Sequence, residues 1–172
     1  KMKEGNNKNY VLSGGIGLIS SRLNIEGPIV KDKGSFIITA RRTYADVFLK
    51  LSPKKDLRDN TLYFYDLNAK GNYSIGKRDR VFISGYFGQD VFKLANRFGI
   101  NYGNITATAR WNHIFNEKLF SNTSFIYNNF NYTVNISNGF NLDVKSVIGD
   151  YSLKEDLDYF LNSKNKFKFG LL

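Results

Sequence analysis

The chain has 172 residues, no cysteine, a formal net charge of +10 and a mean hydropathy of −0.36. This length suits one domain with a core and argues against two. The absence of cysteine excludes thiol and disulfide chemistry. The cations are spread through turns, loops and strands without a run of five, so nucleic acid is not an expected partner. Solvated turns and a polar lumen with some affinity for anionic lipid headgroups explain the charge better.

Aromatic residues make up 16% of the chain, with 11 Tyr and 15 Phe, while there are only 2 Pro. This composition favours strands and interfacial aromatic girdles over helices. No stretch approaches the roughly 18 apolar residues of a transmembrane helix. The strands of a membrane barrel alternate their faces, so their mean hydropathy stays low.

Residues 1–13 form a polar lead-in without an apolar signal region, which indicates a processed chain or a fragment. Gly14, Gly15 and Gly17 follow. Their spacing does not match a dinucleotide-binding fingerprint and no helical pattern comes after them. We interpret them as a flexible approach to the first strand, and residues 14–172 as the barrel itself.

Short charged turn-forming clusters recur at near-even spacing, at 30–34, 76–79, 116–118 and 162–165. Wider polar connections are predicted between them, at 50–61, 90–103 and 132–141. Short turns that alternate with long loops are typical of bacterial outer-membrane barrels. A soluble β-sandwich has less reason to alternate them, because both of its ends face water.

Between these connections the sequence predicts about eight strands. The clearest is Leu62 to Ile75, where apolar residues such as Leu67 alternate with polar residues such as Asp66 over a dozen positions. A helix over Lys154 to Leu161 is the alternative to a strand there, but the alternation before it favours the strand. The final alternating segment, Lys166 to Leu172, is short for a membrane-crossing strand, so we expect an unfinished sheet that continues elsewhere.

Aromatic residues near strand ends are expected to anchor the sheet at the membrane interface. These candidates are Tyr63, Tyr73, Trp111, Tyr151 and Tyr159. The wide connections are expected to hold what ligand contacts there are, although ordinary solvated loops are the simpler interpretation. The loop candidates are Lys54, Arg58, Asp90, Arg97 and Tyr102.

The sequence holds little that indicates catalysis. His113 is the only histidine and has no cysteine or acidic pair at ligand spacing, so neither a metal site nor a catalytic triad is expected. Asp156 and Asp158 share a face with Lys154; a glycosidase pair is conceivable, but salt bridges in a polar lumen are favoured. We expect no enzyme, no metal and no cofactor.

Several segments carry a family resemblance. They are Ser20 to Ile29, Gly34 to Tyr44, Tyr63 to Lys70, Ser84 to Gly88 and Arg110 to His113. Together they resemble the N-terminal part of the barrel in TonB-dependent outer-membrane receptors, especially the lineage with a carboxypeptidase-regulatory-like domain before the plug. The resemblance implies a 22-stranded antiparallel barrel in a Gram-negative outer membrane. It also implies a plug domain and TonB as partners, and import of an iron chelate, cobalamin, glycan or peptide.

Three hypotheses follow. The leading one is an all-β fragment of such a receptor, an antiparallel up-and-down transmembrane barrel of which this chain supplies wall and outer loops. The second is a self-contained eight-stranded outer-membrane barrel with a structural or adhesion role. The third is a secreted β-sandwich that binds carbohydrate through its aromatic residues.

Overall fold

A computed structural model describes residues 3–95, 97–137 and 139–172. These residues form a single sheet of nine strands in which each strand pairs antiparallel with the next along the chain. The prediction of an antiparallel up-and-down all-β fold is confirmed. The strands are β1 (Val11–Ile16), β2 (Ser20–Val30), β3 (Gly34–Thr43), β4 (Thr61–Ile75), β5 (Asp79–Leu94), β6 (Phe98–Ile114), β7 (Leu119–Ser137), β8 (Asn141–Phe160) and β9 (Lys166–Leu171). Two short helices, α1 (Ala45–Lys50) and α2 (Lys55–Arg58), connect β3 to β4.

The ninth strand is β1, in the segment that the sequence analysis interpreted as a flexible approach. Gly14 and Gly15 pair with Leu23 and Arg22 of β2, and a tight turn closes with the Gly17 amide donating to the Ser20 carbonyl at 2.8 Å. Glycine has no side chain to indicate alternation, so the sequence pattern missed a strand that backbone pairing stabilises.

The sheet is open. Within the described chain, β1 and β9 each have one neighbouring strand, and no second sheet packs against the first. This arrangement differs from both a closed eight-stranded barrel and a two-layer sandwich. The helical alternative for Lys154 to Leu161 is wrong, because β8 continues through Phe160 and pairs on both sides there.

Connections at the two ends of the sheet differ from the predicted alternation. At the tight-turn end, the turns cover 31–33, 76–78, 115–118 and 161–165. At the far end, the connection at 44–60 is long, whereas 17–19, 95–97 and 138–140 are short. Residues 96 and 138 lie outside the described residues.

The predicted wide loops at 90–103 and 132–141 are therefore mostly strand. Strands β5 to β8 are 16, 17, 19 and 20 residues long and stay in continuous register to their far ends. The sequence prediction was wrong because glycine and asparagine favour turns locally. Here the ladder of backbone hydrogen bonds on both sides holds them in extended conformation.

Candidate functional surfaces

The sheet has two chemically different faces. Because side chains alternate along a strand, the register assigns each residue to one face. The apolar face carries Leu67, Ile83 and Ala109, and the polar face carries Asp66 and Arg110. Only two hydrophobic side chains among the described residues are buried, so the apolar face has no layer packed on it.

The centre of the apolar face is an apolar band of four register rows across β4, β5 and β6. The rows are Leu67–Phe87–Ile105, Ala69–Gly85–Ala107, Gly71–Ile83–Ala109 and Tyr73–Val81–Trp111. Every position in them is apolar, glycine or aromatic, over about 20 Å of strand. Ile83 is 64% exposed and Leu153, which continues the band in β8, is 65% exposed. An exposed patch of this extent marks an interaction surface.

An aromatic and charged cluster borders the band at the tight-turn end. Trp111 Nε1 donates to Asp79 Oδ1 at 2.9 Å, and His113 Nδ1 lies 2.6 Å from the same oxygen. His113 also packs edge-on against Phe115, with ring centroids 4.5 Å apart. Asp79 lies one row outside the band, and its hydrogen bonds to His113 and Trp111 lower the pKa of its carboxyl group. This cluster gives the end of the band a polar rim.

The polar face at the level of the band is an ordered network. Arg41 Nε and Nη2 both contact Asp66 Oδ2, at 2.8 and 2.7 Å, and Asp66 is only 9% exposed. Asn72, which is 4% exposed, donates to Ser35 Oγ at 2.9 Å and accepts from Arg80 Nη2 at 2.8 Å. Buried polar groups with this many partners fix the side chains of neighbouring strands relative to each other.

Phe82 is the centre of that network. Its buried ring has three cations around it, with Arg110 Cζ at 4.5 Å, Arg80 Cζ at 4.9 Å and Lys70 Nζ at 5.7 Å from the centroid. Cations over an aromatic ring are attracted by its quadrupole. The buried Nε atoms of both arginines have no hydrogen-bond acceptor among the described residues. The ring is thus a contact that all three cations share, and Arg80 is held in addition by Glu4 and Asn72.

Asp156 and Asp158, the pair considered for glycoside hydrolysis, are both engaged in ion pairs on the polar face. Lys154 Nζ lies 2.8 Å from Asp156 Oδ2, and Lys166 Nζ lies 3.0 Å from Asp158 Oδ1. Lys168 approaches the same Asp158 oxygen at 3.8 Å. Each carboxylate is held by a cation on its own or the next strand, which is the arrangement of a structural salt-bridge network.

The polar lead-in crosses the polar face at the tight-turn end. Lys3 Nζ contacts Glu26 Oε1 at 2.8 Å and Arg80 Nη2 contacts Glu4 Oε2 at 2.7 Å. The Asn7 carbonyl then accepts from the Asp32 amide at 3.1 Å in the first tight turn. The chain therefore passes from the polar face around the tight-turn end before it enters β1.

The two faces exchange character towards the far end of β6, β7 and β8. There the polar face carries aromatic and aliphatic side chains, namely Ile100, Tyr102, Phe130, Tyr132, Val134 and Ile148. The apolar face carries polar side chains, namely Asn101, Asn129, Asn131, Thr133 and Asn135. Because of this exchange, the apolar residues change from one face to the other within a strand. The alternating pattern in the sequence therefore breaks before the strand ends.

All five predicted interface anchors lie on the apolar face. They are Tyr63, Tyr73, Trp111, Tyr151 and Tyr159. Tyr73 and Trp111 share the band's last row at the tight-turn end. Tyr151 instead lies in the row of Ala107 in the middle of the band, because β8 begins ten residues before it, at Asn141.

The predicted loop candidates are dispersed. Lys54 precedes α2 and Arg58 is its last residue, and both are exposed. Arg97 is exposed in the turn between β5 and β6. Asp90 and Tyr102 are strand residues directly opposite each other on the polar face. Of the five loop candidates, only Asp90 and Tyr102 are neighbours in the sheet.

Sequence reasoning missed the Phe82 cluster and the Arg41–Asp66 pair. Alternation assigns Asp66 and Lys70 to one face, but it does not indicate that Asp66 pairs with Arg41 of the neighbouring strand. The strand register decides such partners, and it has no local signal in a single sequence. Asp79 was likewise counted as a turn charge rather than as a partner of Trp111.

Comparison with protein-family models, curated proteins and solved structures finds no match for this chain. In the described residues, no group of histidine, cysteine, aspartate and glutamate side chains is arranged to hold a metal ion. None of the helices in the same residues is long and apolar enough to cross a membrane.

Proposed function

We propose that this chain is part of the barrel wall of a TonB-dependent outer-membrane receptor that imports a nutrient. The observation that carries the proposal is the contrast between the two faces. The apolar band is exposed and has no second layer packed on it, whereas the polar face at the same level is an ordered network of ion pairs. A barrel wall needs lipid-compatible side chains outside and polar side chains inside.

The open edges of the sheet also support a larger barrel. Unpaired backbone groups cost several kcal/mol each in hydrocarbon, so a sheet in a membrane closes on itself. In this proposal, further strands pair with β1 and β9. The lead-in, which reaches β1 from the polar face, supports a plug on that side of the wall.

A cysteine scan tests whether the apolar band contacts lipid, and the chain has no cysteine that would interfere. Single cysteines replace Ala107 and Ala109 on the apolar face and, as matched controls, Thr106 and Thr108 on the polar face of the same strand. Each variant is labelled with an environment-sensitive fluorophore in membranes that hold the gene product containing this chain. We expect blue-shifted emission at 107 and 109 only. Equal emission from both faces would refute a membrane wall.

The receptor assignment needs a second measurement, because any outer-membrane barrel would pass the first. The DNA on both sides of this segment should encode a signal peptide and plug upstream and more alternating strands downstream. A signal sequence immediately before Lys1 and a stop codon soon after Leu172 would refute the receptor assignment.

A further inference from the structure

The cations of the tight turns form one edge of the sheet. Every turn at the tight-turn end contributes at least one exposed lysine or arginine; these are Lys31, Lys33, Lys77, Arg78, Lys118 and Lys164. None of the six has an ion-pair partner among the described residues. The same turns also carry the exposed acids Asp32 and Glu117, and Asp79 beside Arg78 is hydrogen-bonded to Trp111 and His113. With six cations against these three acids, this basic edge has a net positive charge.

The basic edge lies directly beside the apolar band. Arg78 is three residues from Val81, the last band position of β5, which is about 10 Å of extended strand. Arg97 in the far-end turn is eight residues from Ile105, or about 26 Å. The polar segment produced by the exchange of the two faces separates Arg97 from the band. At physiological salt, charges more than roughly 8 to 10 Å apart are largely screened from each other. Arg78 is therefore close enough to attract a charged group at the end of the band, whereas Arg97 is too far away.

We propose that the basic edge binds anionic phospholipid headgroups in the membrane leaflet that meets the tight turns. This inference rests on the proposed function, because it places the apolar band in a bilayer. A phosphate at the end of the band lies level with Trp111 and within reach of Arg78, whose carbonyl oxygen accepts from the Ile114 amide at 2.9 Å. Two observations favour an anionic headgroup as the ligand. Its negative charge complements the positive charge of the basic edge, and the edge lies at the end of the apolar band.

Trp111 is the only tryptophan in the chain and is 46% exposed on the band's last row, so it reports on neighbouring lipid. The gene product that contains this chain is placed in bilayer discs of phosphatidylcholine and phosphatidylglycerol, with any tryptophan elsewhere replaced by phenylalanine. One lipid at a time is replaced by its brominated form, which quenches tryptophan on contact. We expect stronger quenching by brominated phosphatidylglycerol than by brominated phosphatidylcholine, and a smaller difference at high salt.

Arg78→Gln should lower the relative affinity for phosphatidylglycerol by up to about fivefold, the effect expected of one cation at an anionic surface. Arg97→Gln is the matched control and should leave it unchanged. Equal quenching by the two lipids, or an equal effect of the two substitutions, would overturn the inference while leaving the membrane wall intact. If neither lipid quenches Trp111, the band is outside the bilayer and the proposed function fails as well.

Discussion

Replacing Phe82 by leucine tests how much the cation cluster on the polar face stabilises the sheet. Leucine keeps most of the buried apolar volume but has no ring quadrupole. Three cations lie within 5.7 Å of the ring centroid, and each such contact contributes about 0.5 to 1 kcal/mol. The change of side-chain shape adds less than about 1.5 kcal/mol. We expect Phe82→Leu to lower the free energy of unfolding by about 2 to 4 kcal/mol.

Phe64→Leu is the matched control, because Phe64 is on the same face but, among the described residues, has a single cation over its ring, Arg41 at 5.1 Å. It should cost about 1 to 2 kcal/mol less than Phe82→Leu, which is the contribution of two cation contacts. The assay is denaturant unfolding of the gene product in detergent micelles, followed by fluorescence. If Phe82→Leu costs no more than Phe64→Leu, the cations are not stabilised by the ring and the reasoning is refuted.

Three further substitutions test two close approaches to glycine and the ion pair of the buried Asp66 carboxylate with Arg41. Gly27→Ala should displace the Tyr10 ring, which a Cβ there would overlap, and so lower the unfolding free energy by about 1 kcal/mol. Gly5→Ala should detach the lead-in from the Phe36 carbonyl, which protease cleavage of residues 3–9 would detect. Asp66→Asn should cost about 1 to 3 kcal/mol of unfolding free energy, because a weaker acceptor then faces its arginine partner.

Each of these substitutions has a control elsewhere in the sheet. In Gly85→Ala the nearest atom to the new Cβ is 3.9 Å away, and in Gly15→Ala no atom lies within 4 Å of it. Both substitutions should therefore be tolerated. Asp150→Asn changes an exposed carboxylate whose one partner in the described part of the chain is Ser152, which donates a hydrogen bond at 3.0 Å. If the control substitutions changed the free energy of unfolding or the protease cleavage as much as the test substitutions, close packing and burial would not be the cause of the changes.

The exchange of the two faces explains why the predicted loops failed while the predicted turns correspond to turns. Charged clusters such as Lys77 to Asp79 interrupt the backbone pattern within a few residues, and turn chemistry is local. The segments from Asp90 and from Tyr132 are polar and glycine-containing, and their alternation reverses sense. Only pairing with the adjacent strand shows that they remain extended.

The sequence by itself determined the antiparallel meander and which face of β4 is apolar. Both follow from local alternation, as in Leu67 against Asp66, and from closely spaced turn residues. The position of Tyr73 and Trp111 on the apolar face was predictable for the same reason.

Only the tertiary structure decided what the strands do together. It aligned the apolar rows of three strands into one band, brought Arg110 and Arg80 onto Phe82, and paired Asp66 with Arg41. It also extended β5 to β8 beyond their predicted ends and left both sheet edges open. Register and edge pairing depend on residues that are distant along the chain, so no local pattern in a single sequence encodes them.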